Sequence, residues 1–425
     1  MSLALKVMDI MQARSEFLEL PPSRFAYPLV ESCIKGDQIE MAWTFIGEMQ
    51  RVGISIDCQT ITQLFKSLRG PSQAKYLERA HFLMNELLTT SAIMMDEVLI
   101  NILLDALINN QHLDKAVKLL RLVLQSGQAK ADVISYNTLL KGCAQQRKDR
   151  LAFEIFELMK SKSVRPNDVT FNSIIDTCVR AGKMHKAWAL LKEMQASGDV
   201  SPDNFTYSTL IKGIKPDSQT GNVGNYHDLE NAFALLERLQ KNSTVKPDEV
   251  LYNCLIDACV RFHDVSRAVR VFNRMQEAGI KPSAITHGIL IKAYGQANQV
   301  SQAFTVFREM RKHNLSPNSV TYGCLIDACV KNGEIDMAVE VYENMRRDRQ
   351  PVNTIIYTTL IKGFSKAYKM ERALEVFEIM KETADCADFK SLPNNVTYNS
   401  LIDCCIRCGR LDKAHEIFEE MRSSA

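Results

Sequence analysis

A short phrase of sequence returns along the chain at intervals of about 35 residues, and this repetition restricts the fold more than any other feature. Its clearest copy, at residues 169–176, reads VTFNSIID. An alanine marks the same place in each repeat, with Met, Leu or Val seven residues later. Those alanines are Ala42, Ala80, Ala116, Ala152, Ala187, Ala232, Ala268, Ala303, Ala338, Ala373 and Ala414. Such a period indicates an array of stacked units rather than one globular core.

Each repeat contains two apolar segments with helical spacing. In residues 168–203, apolar side chains recur with a period of 3.6 over residues 171–178 and again over residues 187–194. Gly182 separates the two segments and indicates a turn. A helix-turn-helix unit of this length cannot bury its apolar face alone, so neighbouring units must stack. The sequence therefore predicts an all-α solenoid of about eleven helix-turn-helix repeats.

The predicted repeats follow one another with little sequence between them. They span residues 23–57, 58–96, 97–132, 133–167, 168–203, 204–248, 249–283, 284–318, 319–353, 354–394 and 395–425. Residues 1–22 contain Ala4 and Met11 at the spacing of a second helix, which predicts a partial repeat or an N-terminal capping helix. Two repeats are longer than the others. We predict that their polar insertions, at residues 215–221 and 385–388, are surface loops.

Charge and cysteine usage exclude several classes of function. The formal net charge is only +2, so a polyanionic partner must be held by a local basic stripe. Six of the twelve cysteines occupy one position of the repeat, where we expect buried thiols rather than disulfides or zinc ligands: Cys33, Cys143, Cys178, Cys259, Cys329 and Cys405. No apolar run approaches the roughly 18 residues of a membrane span, so no membrane partner is expected. We find no catalytic motif, and we expect no enzymatic activity, no metal and no cofactor.

Three parts of the repeat resemble the pentatricopeptide repeat (PPR) family. Its unit reads roughly V-T-Y near the start, A-L-E-L-F-E-E-M in the second helix and K-P-D at the end, and residues 320–322, 268–275 and 246–248 match these parts. The similar tetratricopeptide repeat requires a tryptophan in its first helix, whereas Trp43 and Trp188 fall in second helices here. The resemblance covers nearly the whole chain and identifies a P-type array. It implies a right-handed α-solenoid superhelix that binds single-stranded RNA, one base per repeat.

The resemblance also implies which side chains read the RNA. The first selector follows the aromatic residue of the first helix, and the second selector is the last residue of the repeat. Amide, hydroxyl and carboxylate groups at these places can hydrogen-bond to the Watson–Crick edge of a base. The family's code assigns guanine to Thr62 with Asp96, uracil to Asn101 with Asp132, a pyrimidine to Asn137 with Asn167, uracil to Asn172 with Asp203, guanine to Ser208 with Asp248, cytosine to Asn253 with Ser283, and adenine to Thr358 with Asn394.

Four repeats have no assigned base, and in the first of them, residues 23–57, Tyr27 with Asp57 falls outside the code. Gly288 with Asn318 and Gly323 with Asn353 lack the first selector side chain, and Asn399 is the first selector of the final repeat. If RNA runs 5′ to 3′ along the repeats, as in the family, the predicted site is G-U-Y-U-G-C-N-N-A, where Y is a pyrimidine. The apolar residue three positions before each first selector is expected to pack on the face of the base. These residues are Val98, Ile134, Val169, Phe205, Val250, Ile285, Val320, Ile355 and Val396.

A purely structural interpretation competes with base selection. Asn, Ser and Thr near a helix start often cap the helix, and Asp or Asn after proline suits a turn. Capping predicts similar residues in every repeat. The first selector instead varies among Thr, Asn, Ser and Gly beside a nearly constant aromatic residue, which favours selection.

The residue four positions after each first selector alternates between acid and lysine along the array, from Glu31 to Asp403. Most of the acids have a base one helical turn further on. One interpretation is a ladder of ion pairs between neighbouring repeats. The other is that the outer bases contact RNA phosphates while the acids hold them in place. We predict a mixture, with phosphate contact at Lys35, Arg180, Arg261, Lys331 and Arg407.

Two functions from different classes follow. The first is sequence-selective binding of single-stranded RNA in organellar RNA stabilisation, processing or translation. The alternative is a scaffold that binds protein partners within a ribosomal, polymerase or RNA-processing complex. Family analogy places the protein in a mitochondrion or plastid, although Asp9, Glu16 and Glu19 do not suit a transit peptide.

Overall fold

The computed structural model describes residues 23–51, 56–69, 75–90, 97–126, 130–216, 226–242, 245–386 and 392–423. They belong to two compact units, the first ending at Gly213 and the second beginning at Ile214. All regular secondary structure in these ranges is helical, which confirms the predicted all-α fold. Each unit is an α-solenoid of stacked helices. The prediction for residues 1–22 falls outside the described residues.

Among the described residues of the first unit, six first helices alternate with five second helices. The first helices are Ser23–Lys35, Cys58–Lys66 (continued by the 3-10 turn Ser67–Arg69), Glu97–Asn109, Val133–Gln146, Asp168–Arg180 and Asn204–Gly213. The second helices are Ile39–Arg51, Leu77–Thr90, Leu113–Ser126, Asp149–Ser161 and Met184–Ser197.

The second unit opens with a second helix and then continues the alternation. Its first helices are Glu249–Arg261, Ala284–Gln296, Ser319–Lys331, Thr354–Lys366 and Asn395–Arg407. Its second helices are Tyr226–Asn242, Val265–Glu277, Val300–Lys312, Ile335–Arg347, Met370–Cys386 and Leu411–Ser423. The last residues of Met370–Cys386 correct one prediction, because Asp385 and Cys386 belong to a helix and not to a loop. The rest of that insertion, and most of the insertion at residues 215–221, lies outside the described residues.

Every first helix begins at the first residue of a predicted repeat. Within a unit, first helices of consecutive repeats pack side by side, and first helices also pack on the second helices of their own repeats. Ten of the eleven marker alanines are fully buried, and Ala414 is 7% exposed. A small side chain there lets neighbouring helices approach closely, which explains why the position does not vary.

Aromatic pairs connect several of the second helices to the next repeat. Phe156 meets Phe171 edge to face, with ring centroids 5.5 Å apart. Phe307 meets Tyr322 in the same way at 5.6 Å, and Phe377 meets Tyr398 at 5.4 Å. Edge-to-face pairs add a directional contribution to burial and so help to fix the register of one repeat on the next.

Several ion pairs join the second helices of consecutive repeats or the residues just before them. Lys115 pairs with Glu78 at 3.0 Å and Lys148 with Asp114 at 2.9 Å, each across one repeat boundary. Further pairs of this kind are Lys183 with Asp149, Arg267 with Glu230 and Lys369 with Asp336. Asp149 is the most buried of these acids, and hydrogen bonds from Lys183 and Lys186 lower its pKa to about 2.

The repeated cysteine position faces the core. Cys143, Cys178, Cys259, Cys329 and Cys405 are fully buried, while Cys33 is half-buried. Burial raises the pKa of Cys143, Cys259 and Cys329 to about 12, which keeps their thiols protonated and unreactive. In the described ranges, no helix has both the length and the apolar character needed to span a membrane.

Candidate nucleic-acid interface

From residue 97 onward, the second residue of every first helix is apolar and exposed. These are the nine predicted base-packing residues, Val98, Ile134, Val169, Phe205, Val250, Ile285, Val320, Ile355 and Val396. Their exposed fractions run from 49% at Val98 to 73% at Ile355. Folding usually buries such side chains, and one exposed apolar residue at a fixed place in each repeat indicates a binding surface. Base packing by these residues stays a prediction.

The last residue of a repeat caps the first helix of the next repeat. The Asp132 carboxylate accepts a hydrogen bond from the Ser135 backbone N–H at 2.8 Å, and Asp203 accepts one from Thr206 at 2.8 Å. The same cap is formed by Asn167, Asp248, Ser283, Asn318, Asn353 and Asn394. The capping interpretation is therefore correct for these second selectors. For the Asp and Asn residues the cap uses the Oδ1 atom alone, which leaves Oδ2 or Nδ2 for a ligand.

A hydroxyl group on the next repeat joins the two selectors. The Ser135 hydroxyl donates to Asn101 Oδ1 at 2.6 Å, and Asn101 Nδ2 donates to Asp132 Oδ1 at 3.1 Å. We call this arrangement the hydroxyl clamp; its donor is the third residue of the following first helix. It recurs at Asn137 with Thr170 and at Asn172 with Thr206, both at 2.7 Å.

The hydroxyl clamp limits what the asparagine selector can offer a ligand. At Asn101 and Asn137 it occupies the amide oxygen, and the second selector accepts one amide hydrogen. One N–H of the carboxamide remains available. The asparagine is thus held in place and presents a single hydrogen-bond donor.

Asp203 is held in its ionised form. Burial alone would raise the pKa of its carboxyl group, but hydrogen bonds from the Thr206 backbone and hydroxyl and from Asn172 outweigh burial and lower that pKa. At neutral pH the second selector of this repeat therefore carries a negative charge and acts only as an acceptor.

Asn253 departs from the hydroxyl clamp. Its Nδ2 donates to the Glu249 carboxylate at 3.2 Å, one helical turn back, and its Oδ1 is buried without a hydrogen-bond partner in the described residues. Ser283, the predicted second selector, caps its own helix through the Ile285 N–H at 3.1 Å. The structure therefore shows no hydrogen bond between Asn253 and Ser283. Asn253 bonds to Glu249 instead.

The hydroxyl selectors use other partners. Thr358 lies 2.9 Å from the Thr397 hydroxyl, which in turn donates to Asn394 at 3.0 Å. Thr62 donates to the Cys58 carbonyl at 2.6 Å, and its predicted partner Asp96 lies outside the described residues. Ser208 is buried, and its hydroxyl has no partner in the described part of the chain.

The five Lys and Arg side chains predicted to contact phosphate each pair with the acid one turn earlier in the same helix. The distances are 2.9 Å for Lys35 with Glu31, 2.7 Å for Arg180 with Asp176, 3.2 Å for Arg261 with Asp257, 2.6 Å for Lys331 with Asp327 and 2.8 Å for Arg407 with Asp403. Four of these side chains are at least 48% exposed, but Arg261 is only 20% exposed and also donates to the Ile214 carbonyl. Arg261 is thus the least suited of the five to bind phosphate.

The alternating lysines form less of a ladder than predicted. Lys292 reaches Asp257 of the preceding repeat at 3.3 Å. Within the described residues, no ion pair joins Lys66, Lys141 or Lys362 to a neighbouring acid. Glu31, Asp176, Asp327 and Asp403 pair with a base of their own helix, whereas Asp105 has no base one turn further on. The side chains of Lys66, Lys141 and Lys362 stay exposed on this surface.

Sequence reasoning missed two parts of the site. The first is the hydroxyl at the third position of the first helix, present at Thr60, Ser135, Thr170, Thr206, Thr286, Thr321 and Thr397. Its signal was a Ser or Thr two residues before the first selector, within the repeated phrase itself. The second is Glu249, which no repeated pattern distinguishes.

Comparisons with protein-family models cover most of the chain. The matching models are described as "Pentatricopeptide repeat domain" (residues 123–181), "PPR repeat family" (168–215, 247–296, 289–331 and 317–366), "PPR repeat" (355–383 and 390–422) and "Pentatricopeptide repeat-containing protein" (1–123).

Curated relatives from Arabidopsis thaliana match shorter stretches. The pentatricopeptide repeat-containing protein At3g09650, chloroplastic, is 32% identical over 125 residues, which is 29% of this chain and 16% of that protein. The relative At2g18940, chloroplastic, is 32% identical over 158 residues, covering 35% of this chain and 18% of its own. The relative At1g53600, mitochondrial, is 28% identical over 80 residues, covering 19% of this chain and 11% of its own. The chain thus spans less than a fifth of the length of each.

Among solved structures, the chain is similar to the pentatricopeptide repeat protein PPR10 in complex with an 18-nt psaJ RNA element. The two are 19% identical with a TM-score of 0.48, and the alignment covers 95% of this chain and 60% of that one. Yeast Rmd9p in complex with a 16-nt target RNA is 11% identical with a TM-score of 0.45, covering 94% and 88% of the two chains.

Proposed function

We propose that this chain, which belongs to the pentatricopeptide repeat family, binds single-stranded RNA and selects one base per repeat. The observation that carries the proposal is the repeated combination of an exposed apolar residue with two polar selectors whose unused atoms are limited and defined. The first selector lies three positions after the apolar residue on each first helix, so both lie on the same helical face.

The unused atoms of the second selector sort the bases into two classes. An aspartate such as Asp132 has an acceptor, Oδ2, left after capping, and uracil and guanine carry a ring N–H on the Watson–Crick edge. An asparagine such as Asn394 has a donor, Nδ2, and adenine and cytosine carry a ring nitrogen acceptor there. This matching agrees with uracil at Asn101 with Asp132 and with adenine at Thr358 with Asn394.

The first selector then separates large from small bases. A clamped asparagine such as Asn172, which is 8% exposed, fills the space beneath the base and offers one N–H, which suits the carbonyl oxygen of a pyrimidine. A smaller hydroxyl side chain such as Thr358 leaves room for a purine. The proposed site is G-U-Y-U-G-C-N-N-A, read 5′ to 3′ along the repeats.

Phosphate contacts supply affinity without sequence information. Lys35, Arg180, Lys331 and Arg407 keep exposed side chains on the first helices, and each is held by a carboxylate one turn away. Such pairing orients the Lys or Arg side chain but reduces its electrostatic attraction for a phosphate. We therefore propose modest salt dependence, with the selectors contributing a large share of the specificity.

The proposed setting is an organelle. Several relatives are named chloroplastic or mitochondrial, and we extend this to the chain by family analogy. Bound RNA would be stabilised, processed or translated according to what the occupied site blocks or recruits. The proposal includes no catalysis by the described residues, so binding itself is the activity.

A protein-binding scaffold is the second candidate. The observation that favours it is the pairing of every predicted phosphate-contact base with an acid, together with a formal net charge of only +2. A mixed-charge surface with a regular row of apolar residues also suits an extended polypeptide.

Equilibrium binding separates the two candidates. The purified chain is titrated with a nine-nucleotide RNA of the proposed sequence and with a scrambled RNA of the same composition, at near-physiological salt. We expect the proposed sequence to bind tighter by on the order of a hundredfold or more, because each wrong base costs roughly 1–3 kcal/mol in nucleic-acid recognition generally. Equal affinity for the two RNAs would favour the scaffold.

A further inference from the structure

A cavity of about 420 Å³ lies over Gly323, the second of the two glycine selectors. Three consecutive first helices line it, Ala284–Gln296, Ser319–Lys331 and Thr354–Lys366, and it opens beside the base-packing residues Val320 and Ile355. The code leaves this position without a base preference. The cavity suggests instead that the shape of this site selects the base.

The cavity exists because two side chains differ from the usual repeat. Gly323 has no side chain where Asn101, Asn137 and Asn172 fill the corresponding space, and a Cβ added there would meet nothing closer than Ile356 Cγ1 at 3.7 Å. Ile356 occupies the third helix position, where most repeats have Ser or Thr, so no hydroxyl clamp can form. The part of the cavity formed by Gly323 and Ile356 therefore offers no polar side chain.

The two flanking apolar residues are the most exposed of the nine. Val320 is 70% exposed and Ile355 is 73% exposed, against 62% or less for the other seven. A ligand that packs between them gains more from burial of apolar surface than a ligand at any other repeat. A two-ring base fills this space better than a one-ring base, because unfilled apolar space loses contacts.

Two polar groups at the cavity lack partners. Asn353 uses Oδ1 to cap its helix, accepting from the Ile356 N–H at 3.1 Å, and so keeps Nδ2 as a donor. Gln296 also lines the cavity, and its Oε1 is buried without a hydrogen-bond partner in the described residues. By the rule stated for Asn394, the Asn353 Nδ2 donor suits the ring nitrogen acceptor of adenine, whereas guanine presents a ring N–H at that place. The Gln296 acceptor then suits the adenine amino group, whereas guanine presents a carbonyl oxygen there.

We propose that the Gly323 cavity binds a purine base, with adenine favoured over guanine, and that Ile356 and Gln296 contribute to this selection. The inference rests on the proposed function, and it gives the eighth nucleotide of the site a preference. Selection here depends on residues of three neighbouring repeats, so the selector pair alone does not predict it.

The test varies the RNA first, with the unaltered chain. Nine-nucleotide RNAs carry adenine, guanine, cytosine, uracil or an abasic sugar at position eight, and their dissociation constants are compared. We expect adenine to bind on the order of tenfold tighter than either pyrimidine, the typical effect of filling or leaving an apolar space. Guanine should fall between, and the abasic RNA should bind weakest.

Substitutions then test the cause. Gly323→Asn together with Ile356→Thr restores an ordinary selector and its hydroxyl, and should move the preference at position eight to a pyrimidine. Gly323→Ala, which fits without a close contact, should reduce the preference for adenine. The matched control is Gly47→Ala on a second helix, where an added Cβ meets nothing within 4 Å. It should leave the preference unchanged.

The outcomes separate this inference from the proposed function. If the other positions are selective but position eight tolerates every base and the abasic sugar equally, the cavity inference is wrong and RNA reading stands. If no RNA is bound selectively at any position, both fail. The cavity would then be left to a side chain of a protein partner.

Discussion

The Thr206 hydroxyl lies 2.7 Å from the amide oxygen of Asn172 in the preceding repeat and 2.7 Å from the carboxylate of Asp203, which ends that repeat. One hydroxyl group thus contacts both selectors of the repeat before it. Thr206 is itself fully buried, and it lies in the first turn of the next first helix. Base selection is therefore coupled to the stacking of neighbouring repeats, because the group that orients the selectors also belongs to the interface between them.

Removing this hydroxyl should weaken selection without disturbing the fold. Thr206→Val keeps the shape of the side chain and deletes the hydrogen bonds to Asn172 and Asp203. We expect discrimination between uracil and cytosine at position four to fall by about three- to tenfold, the value of a typical hydrogen bond. Dissociation constants for the two RNAs measure the change.

The matched control is Thr305→Val, which removes an exposed hydroxyl on a second helix that bonds only to the Ser301 carbonyl. It should leave discrimination at position four as it is in the unaltered chain. Full discrimination by Thr206→Val would show that the selectors do not need the clamp.

Exchanging a selector pair should change the base that is read. Asn253→Thr with Ser283→Asn should shift position six from cytosine toward adenine. The threonine frees space for a second ring, and the new asparagine offers a donor after capping. The measurement compares binding of RNAs with each of the four bases at position six, and Ser283→Asn alone serves as the control. Unchanged preference in the double variant would count against pairwise reading.

Arg180 and Arg261 should respond differently to the same substitution. Arg180 is 53% exposed and pairs only with Asp176, so Arg180→Ala should weaken binding of all RNA sequences alike and reduce the slope of log affinity against log salt by about one. Arg261→Ala should leave that slope nearly unchanged. Its side chain is 20% exposed and holds the Ile214 carbonyl, so its loss should appear as lower thermal stability. Equal salt slopes for the two variants would contradict the assignment.

The free energy of unfolding should depend on pH through the carboxyl group of Asp149. Its pKa is lowered to about 2 in the folded chain by the hydrogen bonds from Lys183 and Lys186, against 3.8 as the ordinary value. A lowered pKa in the folded state stabilises the fold above the ordinary pKa, and this contribution is lost as the pH falls toward the folded value. Asp149→Asn should cost about 1–3 kcal/mol of unfolding free energy at neutral pH, and the difference from the unaltered chain should shrink below about pH 4.

Chemical denaturation at several pH values measures this difference. Asp114→Asn is the matched control, because its pair with Lys148 has the same spacing but the acid side chain is 80% exposed. An exposed pair contributes at most about 1 kcal/mol. Equal losses for the two variants would show that burial of Asp149 does not matter.

Much of the architecture could be predicted because it depends on short-range pattern. Helix starts, buried alanines, exposed residues such as Val320 and the pairs one turn apart such as Arg180 with Asp176 all follow from spacing along one helix. The caps formed by residues such as Asn167 follow from local preference as well.

The features that were missed depend on several helices at once. Lys141 has suitable spacing for a ladder but forms no ion pair with Asp105 or Asp176 among the described residues, and which pairs form depends on side-chain conformations in neighbouring repeats. The diversion of Asn253 to Glu249 has the same origin. The cavity over Gly323 requires three helices in place before its size can be seen, and it also depends on Ile356, which a two-residue code does not consider.

The most direct test of the account is in-vitro selection of RNA ligands by the purified chain at near-physiological salt, starting from a random single-stranded pool. The account predicts enrichment of one single-stranded motif that resembles G-U-Y-U-G-C-N-N-A, with adenine favoured at the eighth position and tolerance at the seventh. Recovery of RNAs that share no motif, or binding that disappears with added salt and ignores sequence, would contradict it.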